Sequence, residues 1–129
     1  MFSNTLILII EDNQLNQKII SFWLAKRNYS FIFASSGEEA VEIFKNQWFD
    51  VILMDIMLPG INGFETTYKI RNMGDKIYSK QPFIIALTAN TLDNDRKRCL
   101  QAGMNEFLSK PFDIIQLNNI LESIKYKNE

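Results

Sequence analysis

The sequence contains no histidine and only one cysteine, Cys99. Without histidine, the chain cannot form the Ser-His or Cys-His pairs of common nucleophilic enzymes, and it cannot carry phosphate on an imidazole. A single cysteine cannot close an internal disulfide, and it supplies too few ligands for a structural zinc site. Any chemistry of this chain therefore depends on carboxylates, hydroxyls, lysines and backbone groups.

An excess of positive charge and a long apolar run are also missing. The 14 Lys and Arg residues are balanced by 15 Asp and Glu residues, whereas general binders of nucleic acid or of anionic membranes usually carry a basic excess. The apolar run at residues 6–10 is far shorter than a membrane span, and no signal-peptide pattern surrounds it. We therefore expect no nucleic-acid or membrane contact by this domain, and a cytoplasmic location.

What remains is the composition of one soluble globular domain. The 129 residues are 47% hydrophobic and 22% charged, which suffices for one core but not for two ordinary domains. Five short apolar segments alternate with five segments of helical pattern. This alternation predicts an α/β fold, a doubly wound, five-stranded parallel sheet with helices on both faces and the flavodoxin-like order 2-1-3-4-5.

The boundaries of these elements follow from apolar runs, capping residues and breakers. Strands are predicted at residues 6–10, 30–34, 51–54, 82–87 and 104–108. Helices are predicted after residue 13, from about residue 36, over about 64–73 and 92–102, and from residue 113, with a loop at 72–81. In the first helix, one apolar face is predicted from the spacing of Leu15, Ile19, Phe22 and Trp23.

Carboxylate, hydroxyl and ammonium side chains stand where the predicted strands end. Ligands of such sheets bind beyond the carboxyl ends of the strands, near the point where the strand order reverses. These side chains are therefore expected to converge. They are Glu11 and Asp12 after the first strand, Asp55 after the third, Thr88 after the fourth and Lys110 after the fifth.

The charges of this set favour a metal ion and phosphoryl transfer. Two like charges about 4 Å apart repel by roughly 4 kcal/mol at an effective dielectric constant of 20, and a bound Mg²⁺ would offset that repulsion because it prefers oxygen ligands. We predict that Asp55 is the nucleophile and that Asp12 holds the metal, with Glu11 acting through water. Thr88 and Lys110 are predicted to contact the phosphoryl oxygens.

Four motifs at these strand ends resemble the signature set of the receiver domain of two-component response regulators. The resemblance covers about residues 5–124 of a single domain predicted over 1–129, and the stretch after the first strand is particularly similar to receivers of hybrid sensor histidine kinases and phosphorelays. The matching strings are Glu11-Asp12-Asn13, residues 53–63, Leu87-Thr88-Ala89 and Lys110-Pro111-Phe112.

The resemblance implies roles for particular residues. Asp55 would be the phospho-acceptor, and Asp12, Asp55 and the backbone carbonyl of Met57 would be the protein ligands of Mg²⁺. The Lys110–Pro111 bond would be cis, which proline permits at low energetic cost. The phosphoryl donor would be a phosphohistidine on a sensor histidine kinase or a histidine phosphotransfer protein.

The resemblance also implies a conformational switch. Thr88 would move toward the phosphoryl group, and an aromatic residue of the fifth strand would fill the vacated space. Phe107 matches that position, where the family often has tyrosine. Partner contacts, and a homodimer, would use the helix at 92–102, the fifth strand and the last helix.

Three other functions stay open on the sequence. A degenerate receiver would bind partners without accepting phosphate. A small phosphatase with an aspartyl-phosphate intermediate, of the haloacid-dehalogenase type, would have a second aspartate where Met57 stands. A flavodoxin-like cofactor carrier would need a hydroxyl- and glycine-rich loop after the first strand, and the acidic loop here would repel a flavin phosphate. We expect a signalling receiver rather than a turnover enzyme, either free-standing or part of a hybrid kinase.

Overall fold

Strands and helices alternate along residues 5–58, 60–88, 93–109 and 113–128, the parts of the chain that the computed structural model describes. The strands are β1 (Leu6–Ile10), β2 (Ser30–Ala34), β3 (Val51–Asp55), β4 (Phe83–Thr88) and β5 (Glu106–Ser109). The helices are α1 (Gln14–Lys26), α2 (Gly37–Asn46), α3 (Gly63–Met73), α4 (Asp93–Gln101) and α5 (Ile114–Asn128), and a π-helical turn (Gly74–Tyr78) extends α3.

All five strands lie in one parallel sheet, in the order β2-β1-β3-β4-β5. The predicted fold class and strand order are confirmed. Every residue of β3 is buried, as expected for the middle strand of a sheet that helices cover on both faces. The order places the carboxyl ends of β1 and β3 side by side.

Two apolar layers sandwich the sheet. The alternation of side chains along β1 divides its residues between them, with Ile7 and Ile9 in one layer and Leu8 and Ile10 in the other. The first layer is completed by α1 and α5, for example by Leu24. The second layer is completed by α2, α3 and α4, whose Cys99 is buried as an ordinary small apolar side chain.

The face that α1 turns to the sheet differs from the predicted one. Only Trp23 of the predicted face is buried; the exposed fractions of Leu15, Ile19 and Phe22 are 66%, 47% and 66%. The buried side chains of α1 are Ile20, Trp23 and Leu24. The helix carries two overlapping apolar stripes about one residue apart, and the sheet takes the stripe that contains the adjacent pair Trp23 and Leu24.

The polar segment at 72–81 was predicted as a loop, and this prediction is wrong for most of its length. It continues α3 to Met73 and then forms the π-helical turn. An aromatic anchor explains the difference: Tyr78 packs against Trp48 and Phe44 and donates a hydrogen bond from its hydroxyl to the Phe44 carbonyl. Burial raises the pKa of Tyr78 above its usual value, which further favours the protonated hydroxyl that donates this hydrogen bond.

The boundaries near β5 also shift. Gly103 has a φ of 101° and follows α4 as the predicted C-terminal glycine. The chain then runs through Met104, and β5 begins only at Glu106, two residues later than predicted. Across the described ranges, none of the helices combines the length and the apolar character needed to cross a bilayer.

Candidate functional site

The predicted acidic residues converge at the carboxyl edge of the sheet. Ile10 of β1 is the register partner of Met54 of β3, so the residues that follow each of them are neighbours. One carboxylate oxygen from each of Glu11, Asp12 and Asp55 can be chosen so that the three atoms lie within 4.8 Å of one another. These three residues are called the acidic cluster below.

The acidic cluster is half enclosed. Glu11 is completely buried and Asp55 is 3% exposed, whereas Asp12 is exposed and opens the cluster to solvent. Three carboxylates so close together repel one another by several kcal/mol unless a cation or hydrogen-bond donors compensate them. Three hard oxygen donors at this spacing suit Mg²⁺, which is bound by a few carboxylates and retains several waters.

Glu11 is held by the first turns of α1. The carboxylate accepts a hydrogen bond from the Asn13 backbone N–H on Oε2 at 3.2 Å and from Asn16 Nδ2 on Oε1 at 3.3 Å. Its backbone carbonyl accepts from Gln17 Nε2 at 2.6 Å, and its N–H donates to the Ala34 carbonyl at 3.0 Å. Both the side chain and the main chain of Glu11 are therefore fixed.

The sequence assigned no role at the site to Asn16 and Gln17, although both lie in the stretch after the first strand that resembles receivers of hybrid kinases. A signal that could have found them is their position in the first turns of the helix that follows the acidic residues, five and six residues after Glu11. Both side chains are half-buried. Their position at the site depends on the orientation of α1, which the apolar pattern predicted incorrectly.

Asp55 lies at the end of the central strand and its position is set by short contacts. Its Oδ1 accepts a hydrogen bond from the Met57 N–H at 3.1 Å, and Met57 itself is 78% exposed. Behind Asp55, Gly63 donates from its N–H to the Ile56 carbonyl at 3.0 Å. A Cβ at Gly63 would lie 2.8 Å from the Asp55 carbonyl oxygen, so only glycine allows α3 to start this close to β3.

Thr88 ends β4 beside the acidic cluster. Asp55 is the register partner of Leu87, and Thr88 is the next residue along the strand. Thr88 is 3% exposed and pairs with Ser109 of β5. Lys110 follows Ser109, but Lys110 and the Lys110–Pro111 bond lie outside the described residues, so their predicted roles stay predictions.

Phe107 lies in the middle of β5, opposite Ala86 of β4. Its ring is half-buried against the layer of α2, α3 and α4. The guanidinium carbon of Arg96 from α4 lies 5.3 Å from the ring centroid, a cation–π contact. This contact depends on how α4 packs on β5, so the local sequence around Arg96 does not reveal it.

The family of this chain is identified by comparison with models of known protein families. A model of the response regulator receiver domain matches residues 7–122, nearly the whole chain. The chain belongs to the response regulator receiver domain family. It is a receiver domain of two-component signal transduction, and receiver domains are signalling modules. The small-phosphatase alternative is not favoured by this match.

One curated relative of this receiver domain is hybrid signal transduction histidine kinase K of Dictyostelium discoideum. The two are 37% identical over 126 residues, which cover 94% of the chain but only 10% of the kinase. The chain thus spans a small part of a much longer relative. The resemblance to receivers of hybrid kinases noted from the sequence is confirmed at the level of this similarity.

Two solved structures are similar along almost their whole length. One is the Saccharomyces cerevisiae receiver domain of the response regulator Ssk1, co-crystallised with the histidine phosphotransfer signaling protein Ypd1; the TM-score is 0.85 and the identity 33%, covering 91% of this chain and 86% of that chain. The other is the receiver domain of the sensor histidine kinase PA1611 from Pseudomonas aeruginosa PAO1, with a magnesium ion coordinated in its active site cleft. Its TM-score is 0.78 and its identity 40%, covering 92% of this chain and 95% of that chain.

Proposed function

We propose that this receiver domain accepts a phosphoryl group on Asp55 from a phosphohistidine of a sensor histidine kinase or a histidine phosphotransfer protein, with Mg²⁺ as cofactor. The observation that carries the proposal is the acidic cluster, in which Asp55 lies at the end of the central strand with the carboxylates of Glu11 and Asp12 within 4.8 Å. The absence of histidine from the chain agrees with a donor on another protein or domain.

The residues of the cluster fit Mg²⁺. The carboxylates of Asp12 and Asp55 and the backbone carbonyl of Met57 would be its protein ligands, and Glu11 would act through a bound water. When bound, Mg²⁺ supplies positive charge that neutralises the carboxylates and the phosphoryl oxygens. The magnesium ion in the related PA1611 receiver supports this assignment.

The transfer reaction needs only one new bond at Asp55. A carboxylate oxygen of Asp55 bonds to phosphorus while the bond between phosphorus and the donor imidazole breaks, and the electron pair of that bond stays on the ring nitrogen. Thr88 and Lys110 would contact the phosphoryl oxygens, which carry the developing charge. The product is an acyl phosphate on Asp55.

An exposed apolar stripe beside the site supports docking of a protein donor. The stripe consists of Leu15, Ile19 and Phe22 of α1, all exposed. It starts three residues after Asp12, so a protein that covers it also lies over the mouth of the acidic cluster. We assign this stripe to the phosphohistidine donor; the co-crystal of the related Ssk1 receiver with a phosphotransfer protein supports a donor of that kind.

The switch would use the opposite side of the site. The phosphoryl group adds negative charge next to Thr88, which would move toward it. Phe107 would move inward and weaken its stacking under Arg96, which would change the surface of α4, β5 and α5. A homodimer or an output partner would bind this surface, in the cytoplasm.

Intact-mass measurement after incubation with acetyl phosphate tests the acceptor. Wild type with Mg²⁺ is expected to gain about 80 Da, one phosphoryl group, and neither wild type in chelator nor Asp55→Asn with Mg²⁺ is expected to gain mass. A gain on Asp55→Asn would contradict the nucleophile. If wild type gains nothing from acetyl phosphate or from a phosphorylated histidine phosphotransfer protein, and does not bind beryllofluoride, the degenerate-receiver alternative is correct.

A further inference from the structure

We infer that Asn16 and Gln17 are positioning residues for the magnesium site, acting from α1 through Glu11. This inference rests on the proposed function, because it concerns the same metal site. Neither residue belongs to the acidic cluster, and neither lies at the end of a strand. Each donates a side-chain hydrogen bond to a different part of Glu11.

The carboxylate of Glu11 needs such support because of its length and burial. A glutamate has one more rotatable bond than an aspartate, so its carboxylate can point in more directions from the same backbone position. At 0% exposure, the carboxylate has no contact with bulk solvent that could orient it. Asn16 Nδ2 on Oε1 and the Asn13 N–H on Oε2 hold the two oxygens separately, and both contacts contribute to the direction in which the group faces Asp12 and Asp55.

Gln17 fixes the main chain rather than the side chain. Its Nε2 lies 2.6 Å from the carbonyl oxygen of Glu11, at the point where β1 ends and the chain turns toward α1. Asp12 is the next residue, so the orientation of this peptide sets the direction in which the exposed Asp12 side chain leaves the backbone. Through Gln17, α1 therefore also positions the residue that we propose as a direct ligand.

The two bonds act together on the metal site. Groups that orient metal ligands from outside the ligand set typically change metal affinity by about 10- to 100-fold. Since Glu11 is proposed to act through a water, loss of either bond is expected to raise the Mg²⁺ dissociation constant by about tenfold, at the lower end of that range.

The test uses apolar variants of similar side-chain length that remove the donor. Asn16→Leu and Gln17→Met are compared with Gln14→Met, a matched control on the exposed side of the same helix turn. Mg²⁺ binding to each full chain is measured by titration calorimetry, and unfolding is measured in chelator. The two site variants are expected to bind Mg²⁺ about tenfold more weakly, and the control is expected to match wild type.

The outcomes separate positioning from simple stabilisation. If Asn16→Leu and Gln17→Met unfold more easily in chelator but bind Mg²⁺ like wild type, the positioning inference is wrong while the proposed function stands. If wild type itself shows no Mg²⁺ binding, the proposed magnesium site fails, and the inference fails with it. Asn16→Ala, which also removes the donor and adds no bulk, gives the same comparison if Asn16→Leu does not fold.

A second measurement tests whether Asn16 acts through Glu11. In the Glu11→Gln background, Asn16→Leu is expected to change the Mg²⁺ dissociation constant by less than twofold, because coupled residues have non-additive effects. A full tenfold effect of Asn16→Leu in that background would show that Asn16 affects the metal by another route and would overturn the inference.

Discussion

At the scale of single residues, the site depends as much on a missing side chain as on the carboxylates. Gly63 lets the first turn of α3 approach the end of β3, where its N–H supports the Ile56 carbonyl. The position of Asp55 is therefore set from behind by backbone contacts, and from the front by the Met57 N–H. A methyl group at Gly63 would enter the space of the strand itself.

Gly63→Ala is expected to lower the free energy of unfolding by about 1–3 kcal/mol, the usual cost of overpacking a closed space. The added Cβ would lie 2.8 Å from both the Asp55 carbonyl oxygen and the Ile56 Cα, which are backbone atoms that cannot easily move. Urea denaturation measures the loss. Gly74→Ala is the matched control, since the three atoms nearest to its Cβ all belong to the end of the Gln81 side chain and not to backbone; an equal loss in both variants would contradict the explanation.

The same scale shows which site residues a sequence can reveal. The convergence of Glu11, Asp12 and Asp55 was predictable because parallel strands place their carboxyl ends at one edge and the strand order makes β1 and β3 neighbours. Asn16, Gln17 and Arg96 were missed because their contacts depend on how a helix is rotated about its own axis. That rotation follows from packing against the sheet, and short-range spacing does not determine it.

At the scale of elements, α1 has two separate roles on its two sides. One side packs Trp23 and Leu24 onto the sheet, and the other exposes the apolar stripe of Leu15, Ile19 and Phe22.

The boundaries of β1 and β2 were predicted correctly because continuous apolar runs define them. The buried face of α1 was not predicted correctly, because the helix has two overlapping apolar stripes. The π-helical turn was not predicted either, because it depends on contacts of Tyr78 with Phe44 and Trp48, which are distant in the sequence.

Replacement of the stripe residue Phe22 by serine tests the docking role of α1. Transfer from a phosphorylated histidine phosphotransfer protein is expected to slow by about tenfold, as loss of a buried aromatic anchor costs more than 1 kcal/mol of binding. Phosphorylation by acetyl phosphate should be unchanged, because the small donor needs no docking surface. Both rates are measured by intact mass over time.

Tyr68→Ser provides the matched control for this experiment. Tyr68 is 65% exposed, like Phe22 at 66%, but it lies on α3 in the other helical layer. It is expected to leave both rates unchanged. Equal slowing of protein-dependent transfer in Tyr68→Ser and Phe22→Ser, or no slowing in Phe22→Ser, would rule out α1 as the donor surface.

At the scale of the whole molecule, repulsion within the acidic cluster lowers the stability of the folded chain, and a bound cation would offset this loss. The three carboxylates lie within 4.8 Å of one another, and two of them are buried. Their repulsion acts on the folded state only, because the unfolded chain separates them. Ligand binding to the folded state then raises stability by mass action.

Asp55→Asn is accordingly expected to be more stable than wild type in chelator, by about 1–3 kcal/mol, less than the full repulsion of two close charges because Asp12 is exposed. Mg²⁺ should raise the melting temperature of wild type and should raise that of Asp55→Asn much less. Differential scanning calorimetry measures both. Equal melting temperatures of the two proteins in chelator would contradict the repulsion between these carboxylates.

The order of the strands along the chain has a consequence for synthesis. The acidic cluster comes from the end of β3 and from the two residues after β1, so the first 55 residues contain all of it, whereas β4 with Thr88 leaves the ribosome later. On a growing chain, β2, β1 and β3 can pair before β4 exists, and their pairing brings the three carboxylates together. A divalent cation would then serve as a folding ligand for the nascent half-sheet, before the chain can receive any signal.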